Sequence, residues 1–437
     1  MLILSAAFVA PGFAQDTTAT RLSHAAQFLS ARNLDRAESE LQLVLRASPG
    51  EYRALDLLGV VRVLQQREGD AESLFQSVIQ SKPDFVGAHA HLGLLYLQTS
   101  REDEALPELQ AAIRLDPART DASEALVHIF RQHAQVAASS GDSKQALGLM
   151  IEARKLAPKN PDVQFEFATA AFQMSLLQDA VDAFREALSQ RKNDPLIVYS
   201  LGRAYGSLGR LDEARQQFAR YVALRPDDPA GYCSLGMTLV ALELPDKAMT
   251  EFERSIAIAP EQTEAYFRLG TLALHANNWD LARANLQHVL DRDRQHAGAL
   301  SALGRVEFEQ KQYTQAVELL NRAIVSDGSL QEAHYYLGLT YGRMGQKTES
   351  EREFQRATQL KHEDMEKRKA LWNRLDLRPA SNSEPQHSPG AAILGKCRGL
   401  ACALGNPHLA EMIFKFAGIR LARRTTSGIS RCRLTAD

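Results

Sequence analysis

The sequence predicts an all-α chain, an α-α superhelix or solenoid of about ten helical hairpins laid side by side. Three observations predict it. The pair Leu-Gly recurs at Leu201-Gly202, Leu235-Gly236, Leu269-Gly270, Leu303-Gly304 and Leu337-Gly338, always 34 residues apart, and Leu58-Gly59 and Leu92-Gly93 repeat that spacing. An alanine series runs through Ala37, Ala71, Ala105, Ala146, Ala180, Ala214, Ala248, Ala282 and Ala316 to Ser350 in steps of 34, except for the 41 between Ala105 and Ala146. Within each period the apolar residues fall three and four apart, as on one face of a helix. A fixed period of this length marks stacked supersecondary units. The seven extra residues amount to about two helical turns, so the insert lengthens a helix without rotating its face.

Residues 1–14, MLILSAAFVAPGFA, carry no charge. The run Leu2 to Val9 is short for a membrane span and suits the apolar part of a signal peptide, with small residues at Gly12 and Ala14 ahead of a cleavage before Gln15. The basic start of a signal peptide is missing, since the first basic residue is Arg21. A periplasmic or secreted location is the expectation, and a cytoplasmic one with a buried N-terminal helix is the alternative.

The unit is clearest between Pro195 and Pro226. Val198, Leu201 and Tyr205 place one apolar stripe, Gly209 breaks it, and Ala214, Phe218 and Tyr221 place a second. That is two amphipathic helices of about a dozen residues joined by a short turn. Asn160-Pro161, Asp194-Pro195 and Asp228-Pro229 each set a capping acceptor before a proline whose missing N–H costs nothing at the first helical position. The second helices start with Asp179, Asp212, Asp246 and Asp280 and mostly end near a proline, among them Pro49, Pro83, Pro117 and Pro226. The glycine and the alanine leave room where the two helices of a hairpin come closest.

These residues resemble the tetratricopeptide repeat family. Leu201-Gly202, Tyr205, Ala214, Phe218 and Pro226 match its pattern, as do Leu92-Gly93, Tyr96, Ala105, Leu109, Ala112 and Pro117. About ten units fit between residues 18 and 364. The family's Trp position is never Trp here, though Tyr232 and Tyr266 fill it, and Ala25, Ala134 and Ala168 replace the glycine in the first, fourth and fifth units. The resemblance implies a right-handed superhelix with the first helices lining its concave side. Residues 365–378 read as a polar capping helix, with Met365, Leu371, Trp372 and Leu375 as its apolar contacts.

Beyond residue 378 the composition changes. PASNSEPQHSPG reads as a linker, and residues 379–437 carry eight Lys/Arg against three Asp/Glu, a net +5 that leaves −7 for the rest. Leu409 to Arg424 is apolar with a basic end. It reads as a disordered tail, as sequence foreign to the repeat protein, or as an amphipathic segment touching an anionic membrane. The net charge of −2 argues against nucleic acid as a partner. Four cysteines are too few for a disulfide scaffold.

No GxGxxG, GxxxxGK[ST] or HExxH occurs. Gly342 to Thr348 has a phosphate loop's residues at the wrong spacing, in a turn between repeat helices. His89 and His91, two apart on one helix, and His128 and His133, five apart, read as structural or solvent-facing. Catalytic residues, metal ligands and cofactors are therefore not expected. A binding surface is. One row of first-helix positions reads Phe165, Tyr199, Cys233, Phe267, Ser301 and Tyr335. The row four residues on reads Thr169, Arg203, Met237, Thr271, Arg305 and Leu339. By the resemblance the first row faces the concave groove. The aromatic stripe and two arginines suit a peptide or an amphipathic helix, so Phe165, Tyr199, Arg203, Met237, Phe267, Arg305 and Tyr335 are the candidate contacts. The alternative is that these aromatics pad the contact between repeats.

Two family ligands fit poorly. The asparagines that would grip a chaperone's C-terminal carboxylate are absent from the second row, and the asparagine ladder of the O-linked N-acetylglucosamine transferases is replaced by Ser200, Ser234, Arg268, Ala302 and Tyr336. The reading is a non-enzymatic scaffold for one or more proteins, with self-association a further option. The alternative is the substrate-recruiting arm of a truncated or multi-component enzyme such as a glycosyltransferase.

Overall fold

The computed structural model describes residues 17–374, with side chains through Glu366. The leader read at 1–14 and the tail read at 379–437 lie outside the described residues. Within them the chain is helix and turn throughout, without a strand. The first helices of the hairpins are α1 Thr18–Ser30, α3 Tyr52–Leu64, α5 Val86–Gln98, α7 Thr120–Ser139, α9 Pro161–Gln173, α11 Pro195–Ser207, α13 Pro229–Ala241, α15 Thr263–His275, α17 Ala297–Glu309 and α19 Gln331–Arg343. The second helices are α2 Leu34–Ala47, α4 Glu68–Ser81, α6 Glu102–Leu115, α8 Ser143–Leu156, α10 Leu177–Gln190, α12 Leu211–Leu224, α14 Pro245–Ile258, α16 Trp279–Arg292, α18 Tyr313–Ser326 and α20 Lys347–Arg374. A unit boundary falls after Lys361. Beyond it, α20 runs on through most of the segment read as a cap. Met365 there is half-exposed, and Leu371, Trp372 and Leu375 lie outside the described side chains.

The predicted caps form. Asn160 accepts from the N–H groups of Asp162 and Val163, and Asp194 from those of Leu196 and Ile197. Asp228 accepts from Ala230 N–H through Oδ1, while its Oδ2 takes the hydroxyl of Tyr221 from the preceding helix. Burial, and then that bond, push the Tyr221 phenol up to about 12. The aspartates of the second helices lie within the first turn, where they oppose the helix dipole.

The period markers are packing devices. Ala37, Ala71, Ala105, Ala180, Ala214, Ala248, Ala282 and Ala316 are fully buried. A Cβ on Gly236 would come within 2.6 Å of the Phe252 ring, and one on Gly59 within 2.4 Å of Phe75, so the glycine lets the residue sixteen later lie flat on the first helix. Ser350, which closes the alanine series, donates its hydroxyl to the carbonyl of Gly338 at 2.7 Å. The core follows the chain in three successive runs: Leu22–Val61, Ala71–Leu272 and Ala273–Leu337. Each hairpin is therefore stabilised by its own helix pair together with its immediate neighbours.

The two layers of the array are packed unequally. Nearly every first helix touches the next first helix, whereas no second helix makes a comparable contact with the next second helix. First helices thus lie closer together and form the inner, concave side. Between α11 and α13 the contact is made by the side chains of Tyr199 and Ser234.

Candidate functional site

The inner surface changes character along the chain. From α3 to α7 its charged groups are bonded internally, beside the apolar Val60 and Leu94. Asp56, 4% exposed, bonds His91 Nδ1 at 2.8 Å, and His91 Nε2 lies 3.4 Å from Arg119, which pairs with Asp121 at 2.7 Å. His89, on the other face of α5, is buried between Glu108 at 2.6 Å and the carbonyl of Pro83 at 2.9 Å. His133 pairs with Glu102 at 3.1 Å, while His128 is exposed. The next step, α7 to α9, is bridged by Arg131 donating twice to Glu166, at 2.7 and 2.6 Å.

From α9 to α13 the wall is apolar and open. Tyr199, Arg203 and Met237 line one shallow cavity of about 380 Å³ with Phe172, between α11 and α13. Tyr199 is anchored from behind: its ring lies 5.5 Å from Phe218 and 4.9 Å from Tyr221, and its hydroxyl shares a 3.0 Å hydrogen bond with Ser234. Arg203 is exposed and its guanidinium lies 5.2 Å from the centre of the Phe172 ring, with no carboxylate paired to it among the described residues. Met237 is 38% exposed and also lines a smaller cavity of about 230 Å³ with Val240 and Arg268.

The other four predicted positions stand apart. Phe165 packs 5.7 Å from Phe184 and faces a different cavity, beside α7. Phe267 is turned into the repeat contact, 4.9 Å from His296 and against Gly298. Arg305 is engaged: it pairs with Glu332 at 3.2 Å and lies 5.1 Å from the centre of the Tyr336 ring. Tyr335 is 43% exposed beside Tyr336 and Phe354. Burial pushes the Cys233 thiol in the same row up to about 11, which keeps it protonated at neutral pH.

The geometry explains the scatter. Side chains on successive first helices meet at a separation of 35 residues, as Asp56 meets His91, Arg131 meets Glu166 and Tyr199 meets Ser234. Residues 34 apart occupy the same position in two repeats, so they line up without touching. Sequence reasoning missed Phe172 and Val240, which complete the open wall. Extending the rows by one more helical turn would have found them. Among the described residues no group of three or more His, Cys, Asp or Glu could hold a metal, and no helix is long and apolar enough to cross a membrane.

Models of the tetratricopeptide repeat match residues 22–84, 69–120, 131–196 and 267–330, with further repeat models over 171–232, 229–262 and 331–364. The chain belongs to the tetratricopeptide repeat family. Proteins of this family are in general scaffolds for protein–protein interaction. No curated protein sequence matches the chain. Among solved structures, a tetratricopeptide repeat protein from Parabacteroides merdae is 14% identical, covering 54% of this chain and 93% of its own at a TM-score of 0.47. YrrB, described as having an unusual peptide-binding site, is 22% identical over 42% of this chain and 95% of its own, with a TM-score of 0.36. The repeat domain of P58(IPK) is 16% identical over 75% and 98%, with a TM-score of 0.29. Family membership rests on the repeat models and the matching period.

Proposed function

We propose that this tetratricopeptide repeat protein is a non-enzymatic scaffold that holds a peptide or helix of a partner protein on the inner face of its array, centred on α9 to α13. The observation that carries the reading is the pairing of the two arginines. Arg305 is engaged by Glu332, while Arg203 stands beside an aromatic ring with no acid paired to it among the described residues. An apolar surface with one uncompensated cation suits a segment that brings apolar side chains and one carboxylate, the mixture from which interface anchors are built. Tyr199 and Met237 supply apolar contact, and Phe165 extends the surface at its α9 end.

The experiment is site-specific photo-crosslinking in cells from Met237, with Gln216 on the outer helix α12 as control. One protein captured from Met237, absent from Gln216, and lost in Arg203→Glu with helix content unchanged, is the expected result. Equal capture from both positions would refute the groove. Export to the periplasm is part of the proposal, motivated by residues 1–14. A mature chain beginning at Gln15 would support it, and a chain retaining Met1 would contradict it.

A further inference from the structure

The alanine series breaks its 34-residue step once, by seven residues, and all seven lie in α7, which has 20 residues where each other first helix has 13. Two extra turns add about 10 Å of helix, so α7 overruns α9. Between α7, α8 and α9 lies a cavity of about 670 Å³, within the range of ligand pockets.

A side-chain substitution deepens it. The residue sixteen after the glycine position is a ring or a branched chain in the neighbouring repeats (Phe75, Leu109, Phe184, Phe218), and here it is the unbranched Met150, opposite Ala134. Ala134, Ala146, Met150 and Ala170 form a buried apolar floor, with Phe165 at the side. The mouth has a different chemistry. Gln132, Gln135 and Gln173 are exposed around it, and their side-chain amides make no hydrogen bond among the described residues. Arg131 and Glu166, at the same mouth, satisfy each other in a bidentate pair and so present no free charge.

We propose that this cavity is an anchor pocket for one bulky uncharged side chain, leucine, methionine or phenylalanine, of an extended partner segment. The three glutamine amides bond that segment's main chain. Each amide offers both a donor and an acceptor, as a peptide unit does. A charged side chain on the apolar floor would lose its hydration without gaining a counter-ion. The pocket rests on the groove reading above and deepens it, since it lies on the same inner face one repeat before Tyr199.

The test uses the full chain with ¹³C-labelled methionine methyls, the Met150 signal being assigned through Met150→Leu. The probes are acetylated pentapeptide amides, Gly-Ser-X-Ser-Gly. Peptides with X as Leu, Met or Phe are expected to shift the Met150 signal saturably, and those with X as Ala, Lys or Glu to bind about tenfold more weakly or worse. Two filling substitutions made separately, Ala138→Leu and Thr169→Met, are expected to weaken the binding by a similar factor with helix content unchanged. No shift at Met150 with any apolar peptide, or equal binding of the Lys and Glu peptides, overturns the pocket. Apolar peptides that shift Met237 but leave Met150 still would overturn it while sparing the groove, and silence at both methyls would count against both.

Discussion

The inner walls of α3–α7 and α9–α13 use the same helix positions for opposite purposes. Asp56 and Arg131 stand where Phe165 and Tyr199 stand further on. In the first stretch every such polar group is bonded to a neighbouring repeat, Asp56 to His91 and Arg131 to Glu166. In the second, Tyr199 and Met237 present apolar surface and Arg203 has no carboxylate partner among the described residues. A repeat interface that satisfies its own charged groups does not itself attract a charged partner group. One that leaves a cation and rings exposed does.

The sharpest way to separate the stretches is a matched pair of core truncations. Phe75 and Phe252 are buried to within 1% and occupy the same position in two repeats. Each change to alanine is expected to cost about 3–5 kcal/mol in chemical denaturation. Phe252→Ala alone should also weaken partner binding, because Phe252 backs the cavity lined by Met237. Equal loss of binding in both variants would erase the contrast. Next comes Asp56→Ala, which leaves His91 without its acceptor and is expected to cost about 1–3 kcal/mol with partner affinity unchanged. A large drop in affinity there would move the site to α3–α7.

A smaller effect checks the scaffold beneath both walls. Glu243 sits at φ +58° in the turn before α14, a conformation that costs a non-glycine residue about 1 kcal/mol or more. Glu243→Gly should raise the denaturation midpoint, and a fall would mean that the side chain matters to the turn. The smallest effect is acid sensitivity at α2–α3. A hydrogen bond from Arg62, above all, holds Glu38 at about 2 against an ordinary 4.5. The carboxyl is depressed in the folded state, so its contribution is complete above about pH 4.5 and is lost as the pH falls toward 2. As a partly exposed pair it contributes about 1 kcal/mol or less. Glu38→Gln should flatten that part of the stability profile, and an unchanged profile would refute the assignment.

Much of this fold is legible in the sequence because its devices recur. The Leu-Gly pairs, the buried alanines and the Asn160-Pro161 and Asp194-Pro195 caps each repeat one local geometry, and the 41-residue step did go into a helix. The turns were legible in part: Gly209 and Gly345 hold positive φ as a turn requires, but so do Arg32, Gln66, Glu243 and Lys311, residue types that carry no turn signal of their own. The site was half legible. The 34-residue rows found Tyr199, Arg203 and Met237, which do meet in one cavity. They gave no warning that Arg305 would be bonded to Glu332, 27 residues on, or that Phe267 would pack against His296. Such contacts cross repeats at other spacings, and Asp56–His91 and Arg131–Glu166 run at 35. A search for complementary residues at that separation would have exposed both bonded pairs.

The central claim is that the partner lies on α9–α13, and one crosslinking scan tests it directly. A photo-reactive residue is placed in turn at Val60, Leu94, Thr169, Arg203, Met237, Thr271, Arg305 and Leu339, the same position in every first helix except α1 and α7, and capture of one partner is measured along the row. The account predicts a maximum at Thr169, Arg203 and Met237, falling away at Val60, Leu94 and Leu339. A flat profile, or a maximum at Val60 and Leu94, would contradict it.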